Sequence, residues 1–449
     1  MNESFQIMSP FHITAPVSCY WVCQHSMSTA VPRLFRQETT KQWIRHPADW
    51  SPRKLLSRFF QKSSTLTVKA SETSRFFMYE ENADGQSRVK DDIGLTQILQ
   101  RSPSGLSELL CNEDSTKYHY WTSPVADVAP GLLELVQGYE SFHDDQRLLD
   151  PRGPSLWMGS SGSATQAHYD VADNVLVQLF GTKRIRCYHP GAAWALHVFP
   201  DAHPRARKSQ VNFDKPDHIR FPHFSSLPPP ILDVVLRPGD ALRIPAFWFH
   251  HVENGRMPAS PIFHKAAVST EVGPSVSLNI FALSVPMMAA QGIFRDASLP
   301  FGFLASAPGG REYGDKIVAE RHYQFAVVAL RALGWALLKG LGVLGSPDAF
   351  IRKHILNTRY GSLRRGNLGV SNNEVSVEQH PRMLTPLEEK DVALCIERVL
   401  PQFDSLQVEQ DIDGISILVA CHLLEIWAVE LVGASAVADA WEAAITLET

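Results

Sequence analysis

Six residues, Thr165-Gln166-Ala167-His168-Tyr169-Asp170, limit the folds open to this chain more than any other stretch. His168 and Asp170 stand two apart, and on an extended strand alternate side chains share a face. An imidazole and a carboxylate side by side on a sheet make most of a metal site. The third ligand must come from far along the chain. Ile244-Pro245-Ala246-Phe247-Trp248-Phe249-His250-His251-Val252 offers two histidines about eighty residues later. Two imidazoles and one carboxylate on one side of an ion leave its other side open, the arrangement of non-haem Fe(II) centres. Spacing alone does not choose between His250 and His251.

The intervening sequence reads as strands and turns. Asn174 through Phe180 is strand-like, Gly181-Thr182 is a turn signal, and Lys183 through Tyr188 reads as the return strand. That hairpin predicts Lys183 beside the His168–Asp170 strand. A lysine at the inner end of a strand is costly to bury unless an anion meets it. Arg237-Pro238-Gly239-Asp240 is a turn with Pro and Gly in the central positions. Ala241–Ile244 follows as a short strand, and Trp248 and Phe249 are expected to supply apolar walls that keep water from the metal.

With these pieces in order, the run from Trp157 to Asn279 resembles the Jumonji-C (cupin-like) family of Fe(II)/2-oxoglutarate oxygenases, with its asparaginyl hydroxylases as the nearest likeness. The matching segments are Thr165–Asp170, Asn174, Gly181-Thr182-Lys183-Arg184, Ser209-Gln210-Val211-Asn212-Phe213-Asp214, Arg220-Phe221-Pro222, Pro238-Gly239-Asp240, Ile244-Pro245, Trp248-Phe249-His250-His251 and Leu278-Asn279. The resemblance implies iron ligands at His168, Asp170 and His250. It implies that Lys183 and Thr165 hold the distal carboxylate of 2-oxoglutarate. Asn174 and Asn279 are then the amides near its metal-bound end, and Tyr120 completes the pocket, with Tyr118 as its rival. The implied fold is mainly β with α: a double-stranded β-helix (jelly-roll, cupin-like) core braced by helices, with a helical C-terminal extension. The implied cofactors are Fe(II), with 2-oxoglutarate and O2 as cosubstrates. Departures fall on the substrate side: Ile280-Phe281 after Asn279, Lys208 where the family has a neutral amide, and an insert around Gly255–Pro274.

Of 449 residues, 44% are hydrophobic and 20% charged, values of a globular chain. The net charge of −5 makes no global case for nucleic-acid binding. Six scattered cysteines suit a reducing compartment, so an intracellular setting, cytoplasm or nucleus, is expected. Cys19, Cys23 and His25 have no second pair to complete a zinc site. No positive side chain precedes Arg33, which argues against a secretory or transit segment.

The expected division is residues 1–30 as a tail or strand, 31–285 as the catalytic domain with its core at 157–285, and 286–449 as the helical extension. Residues 33–62 read as helices with a solvated basic side. Ser64–Lys69, Ser74–Tyr79 and Tyr118–Trp121 read as strands, and Ile93–Gln100 and Pro130–Gln137 as helical. Lys316–Leu344 is a long helical pattern, with Phe325–Leu344 apolar enough to raise a membrane question that Arg331 and Lys339 answer in favour of a packing helix. Arg364–Arg382 reads as a linker. Thr385-Pro386-Leu387-Glu388 opens a helix that should end before Pro401. Ile415–Val432 and Ala434–Leu447 close the chain as apolar helices. By analogy with the family they fit homodimerisation, and no membrane partner is expected.

A protein side chain is the first expected substrate. A modified tRNA base or a histone lysine is the second, with Arg352, Lys353, His354, Arg359, Arg364 and Arg365 as a stretch able to meet phosphates. A non-catalytic cupin-like scaffold is the third reading.

Overall fold

The computed structural model describes residues 31–36, 50–74, 97–112, 115–136, 148–201, 203, 205–255, 273–297, 315–343, 345–366, 386–406 and 412–447. The N-terminal tail with Cys19 and Cys23, Ser74–Tyr79 past its first residue, most of the insert and most of the Arg364–Arg382 linker lie outside them.

Twelve strands in the described residues form two antiparallel sheets. In chain order they are β1 (Arg33–Phe35), β2 (Leu66–Ser71), β3 (Gln97–Arg101), β4 (Tyr118–Pro124), β5 (Ser155–Gly159), β6 (Ala164–His168), β7 (Asp173–Phe180), β8 (Lys183–Tyr188), β9 (Leu232–Leu236), β10 (Ala241–Ile244), β11 (Phe249–Asn254) and β12 (Ser275–Ala282). The large sheet runs β1-β10-β7-β12-β5-β4-β2-β3 and the small one β6-β11-β8-β9. β1 to β5 all belong to the large sheet; from β5 to β12 the chain alternates between the sheets, save that β8 and β9 are neighbours in the small one, as in a jelly roll. This is the double-stranded β-helix that the resemblance implies.

One expectation fails in an informative way. β7 and β8 are not a hairpin: β7 pairs with β10 and β12, whereas β8 pairs with β11 and β9. Gly181 lies in the left-handed region at φ 66°, and a Cβ there would sit 2.2 Å from the Pro274 carbonyl oxygen. The turn therefore carries the chain across from one sheet to the other. Gly255, at φ 69°, crowds the Gly273 carbonyl in the same way, and its N–H bonds the Thr182 carbonyl at 2.9 Å.

Period-two alternation sorts the side chains. Val175, Val177, Leu156, Met158, Val276 and Leu278 face out of the large sheet into a core built with α1 (Pro52–Phe59) and α2 (Pro103–Cys111). Ser51 and Ser102 accept from the N–H groups of Lys54 and Gly105 and so start those helices. Between the sheets, Leu176, Ile185, Cys187, Leu236, Leu242, Ile244, Trp248 and Val252 fill one end. The other end is polar and holds the site.

The C-terminal half is helical: α3 (Val285–Asp296), α4 (Asp315–Gly340), α5 (Ile351–Tyr360, wound at the wider π pitch), α6 (Pro386–Phe403), α7 (Ile412–Val432) and α8 (Val437–Thr446). These helices share one core with Ala167, Tyr169, Tyr188, Phe247 and Phe249, the outward residues around the small sheet. Trp427 and Trp441 are fully buried there, each contributing roughly 3 kcal/mol or more by burial. Within the described residues, the stretch apolar and long enough to cross a membrane is Gly414–Val432, not Phe325–Leu344. Most of it is buried, and Glu425 in its midst is ion-paired, which marks a core helix.

Three further expectations change. Gln97–Arg101 is a strand, not part of a helix, because it pairs along β2. Arg33–Phe35 is a strand on β10. Helix α6 runs past Pro401, which sits in the last turn, where a missing N–H and a carbonyl clash disturb only one turn of helix.

Candidate metal and 2-oxoglutarate site

β6 and β11 lie side by side with His168 directly opposite His250. Two residues along β11, Val252 faces Thr165, so three residues of β6 span two of β11. This bulge shifts the alternation by one. Thr165 and His168, an odd number apart, thereby share the inner face. β6 ends at His168, so Asp170 is not on the strand as expected. It lies in the following turn, where its carbonyl accepts the Phe247 N–H at 2.7 Å and the Tyr169 N–H bonds Arg207 at 3.3 Å. Phe247 adopts φ 67°, a strained position for a bulky residue that serves this contact.

Ligating atoms of His168, Asp170 and His250 all lie within 4.8 Å of one another. His250 Nε2 is 3.6 Å from Asp170 Oδ2, and the two imidazole centroids are 4.1 Å apart. Each ring is fixed by a carbonyl two residues back in its own chain. Gln166 O accepts from His168 Nδ1 at 2.8 Å, and Trp248 O from His250 Nδ1 at 3.1 Å. With both Nδ1 atoms donating, both Nε2 lone pairs are left for a metal. Burial, with His250 adding, pushes His168 down to about 3. Burial alone would raise Asp170, but His168, His250, Arg207 and Lys208 outweigh it and hold the carboxylate low. A neutral imidazole and an ionised carboxylate are the forms that bind metal. His251 points the other way. Its ring stacks on Phe213 at 4.7 Å, and its Nε2 lies 3.6 Å from Glu253.

Lys183 is 3% exposed, on β8, with β11 between it and β6. Its ammonium donates to Ser277 Oγ at 2.6 Å and meets no carboxylate among the described residues. Burial pushes it down to about 7. Across from it, Ser275, Ser277 and Asn279 alternate along β12. Asn279 Nδ2 donates to Asn174 Oδ1 at 3.3 Å, while Asn279 Oδ1 is buried without a partner. Tyr120 is buried, shares a hydrogen bond with the Thr165 side chain and feels the Asp170 charge. Burial raises its phenol far above the ordinary range. Tyr118 instead crowds Gly162. Trp157 packs edge-on to Tyr120 at 5.8 Å and 6.5 Å from Phe281, with Nε1 buried and unpartnered.

This donor set fits Fe(II) and 2-oxoglutarate. Three ligands converge on one side, a buried ammonium meets no carboxylate among the described residues, and an amide oxygen of Asn279 and the indole N–H of Trp157 are buried without partners. Ser277 and Trp157 escape a sequence reading. The Ser-x-Ser-x-Asn alternation of β12 was the available signal for the first. Trp248 does wall the site from the sandwich interior, but Phe249 points out toward Tyr169 and the helices.

A second buried charged cluster ties the helices to this core. Arg359 Nη1 lies 2.5 Å from Asp201 Oδ2 and 2.9 Å from Glu425 Oε1, and His422 Nδ1 is 3.3 Å from Asp201. Glu425 also accepts the Asp201 N–H, and Gln210 donates to the Arg359 carbonyl at 2.8 Å. Arg359 is thus neither a solvated face nor a phosphate contact.

A two-sheet β-helix with a His–Asp–His centre at its polar end defines a cupin-type site. Residues 24–281, more than half of the chain, match the family model described as a cupin-like domain, and the chain belongs to that family. The tRNA wybutosine-synthesizing protein 5 of Homo sapiens is 38% identical over 172 residues, 35% of this chain and 49% of that protein. Lysine-specific demethylase 8 of Xenopus tropicalis is 34% identical over 98 residues, 22% of this chain and 21% of that protein. The chain thus spans half or less of these relatives. YcfD, a ribosomal oxygenase from Escherichia coli in complex with cobalt and 2-oxoglutarate, overlays with a TM-score of 0.31 at 13% identity, covering 84% of this chain and 64% of that one. So loose an overlay carries no weight. These relatives support the Jumonji-C resemblance, but a special closeness to the asparaginyl hydroxylases is not shown.

Proposed function

We propose that the protein is an Fe(II)- and 2-oxoglutarate-dependent dioxygenase that hydroxylates a macromolecular substrate. The observation that carries this reading is the convergence of His168, Asp170 and His250 within 4.8 Å beside a buried lysine that meets no carboxylate among the described residues. His168, Asp170 and His250 would hold iron. Lys183 and Thr165 would fix the far carboxylate of 2-oxoglutarate, with Tyr120 buttressing Thr165. Asn174 and Asn279 would meet the end nearer the metal. When bound, iron and 2-oxoglutarate supply the oxidising power, with release of succinate and CO2. The protein's own work is placement: Gln166 and Trp248 carbonyls set the imidazoles, and Trp248 and its neighbours keep water from beneath the centre.

A protein side chain remains the sequence-based choice of substrate. Nucleic acid is the second reading. It is supported by the tRNA-modifying relative and by the cations at the site's rim. Purified protein mixed anaerobically with Fe(II) and 2-oxoglutarate should show the visible metal-to-ligand charge-transfer band, absent in Asp170→Ala. A well-folded wild type without the band would overturn the oxygenase reading and favour a silent scaffold.

A further inference from the structure

Lys208 forms an isolated β-bridge with His168, so its backbone lies directly beside a proposed iron ligand. Its charge acts on both His168 and Asp170. Lys69, Arg207 and Arg205 add like charge around it, and Asp170 opposes them. Asp170 would belong to the metal. Among the described residues, neither the Lys208 ammonium nor the Arg207 guanidinium has a hydrogen-bond or ion-pair partner. Arg207 adopts φ 69°, a left-handed turn that an arginine takes at a cost and that brings Lys208 opposite His168. Lys69 lies opposite Tyr120 on β2 and β4, and Tyr120 leads to the partly exposed rings of Trp157 and Phe281. The rim therefore sets Lys208 and Arg207 near an aromatic wall.

Unpaired cations beside a carboxylate already committed to a metal need an external anion. Aromatic faces next to such cations suit an unstacked base, which a polyanionic peptide does not offer. We infer that Lys208 and Arg207 form a phosphate-receiving subsite for an RNA substrate, with a base held against Trp157 and Phe281 near the metal. This rests on the oxygenase reading of the same site and deepens its nucleic-acid version.

The test uses the full chain loaded anaerobically with Fe(II) and 2-oxoglutarate. Anisotropy of a labelled mixed-sequence RNA hairpin, and of a poly-glutamate peptide of equal charge, is followed from 50 to 200 mM KCl. Wild type should bind the RNA in a salt-dependent way. Lys208→Met should bind it more weakly, with the slope of log K against log salt smaller in magnitude by about 1, and Lys208→Arg should restore both. Trp157→Leu should weaken RNA binding without changing the slope. RNA affinity unchanged in Lys208→Met, or no RNA binding by wild type, would overturn the subsite. Equal or tighter binding of poly-glutamate would overturn its assignment to RNA. The charge-transfer band, read in the same samples, separates the two levels: its absence in wild type defeats the oxygenase reading, whereas its presence with indifferent RNA binding defeats the subsite alone. Melting curves for Lys208→Met distinguish lost binding from lost folding.

Discussion

Tyr169, between His168 and Asp170 in the chain, also feels the charges of Asp201, Arg359 and Glu425, and the two buried charged clusters that it adjoins are built to opposite rules. In the helical half, Arg359 is closed between Asp201 and Glu425, and Gln210 takes up the Arg359 carbonyl. Every strong charge there has its partner inside the protein. In the sheets, His168, Asp170 and His250 turn their lone pairs toward one point, and among the described residues Lys183 offers its ammonium to a hydroxyl only. Burial costs both clusters desolvation. A saturated cluster holds parts together, whereas one left open stores binding capacity.

The sharpest way to break the contrast is Arg359→Met. Two buried carboxylates lose their cation, so stability should fall by about 3–5 kcal/mol in urea denaturation. The fraction that folds should still show the charge-transfer band. If the band vanished from folded protein, the two clusters would not be independent. The converse change, Asp170→Ala, should weaken Fe(II) binding by at least about 100-fold, beyond what loss of an outer-shell partner does, and leave the melting temperature of the metal-free protein unchanged or higher. Calorimetric titration with Fe(II) under nitrogen checks it.

Lys183→Met sharpens the difference further. The affinity for 2-oxoglutarate should drop about 30-fold or more, as for losing one partner of a buried charge pair. The ligand-free protein should gain stability, because an ammonium pushed down to about 7 by burial no longer has to be desolvated. A melting temperature below wild type would count against the reading of Lys183 as an open group.

The smallest effect is on pH. His168 is pushed down to about 3 in the folded state, against 6.5 when free. Between those values the unfolded chain binds the extra proton, so stability is fully present above 6.5 and is lost as pH falls toward 3. His168→Asn should flatten part of that acid limb in metal-free protein, measured by urea denaturation at pH 7, 5.5 and 4.5. His119, His203, His251 and His354, also pushed down by burial, contribute to the same limb.

The sequence made much of the open cluster legible and nearly none of the closed one. A short motif such as Thr165–Asp170 keeps its residues together in the chain, and strand periodicity tells which lie on a face. Parity nevertheless misleads for Thr165 and His168, because the bulge against β11 is set by a partner strand eighty residues away. The same non-local pairing turns Gln97–Arg101 into a strand and sends β7 and β8 to different sheets. Arg359, Asp201 and Glu425 share no spacing rule. Their meeting depends on how whole helices dock, and on sequence alone Arg359 is one more base on a polar helix.

Gly255 and Gly273 touch, since a Cβ on the first would lie 2.4 Å from the carbonyl oxygen of the second. The end of β11 and the approach to β12 thus meet at one point in the fold, with seventeen residues between the two glycines in the chain. Such a junction tolerates changes of length well, because loop-closure entropy grows only with the logarithm of the number of residues, about 0.6 kcal/mol per doubling. It is a natural place to splice in an affinity handle or a fluorescent reporter, with the strands that carry His250 and Asn279 undisturbed.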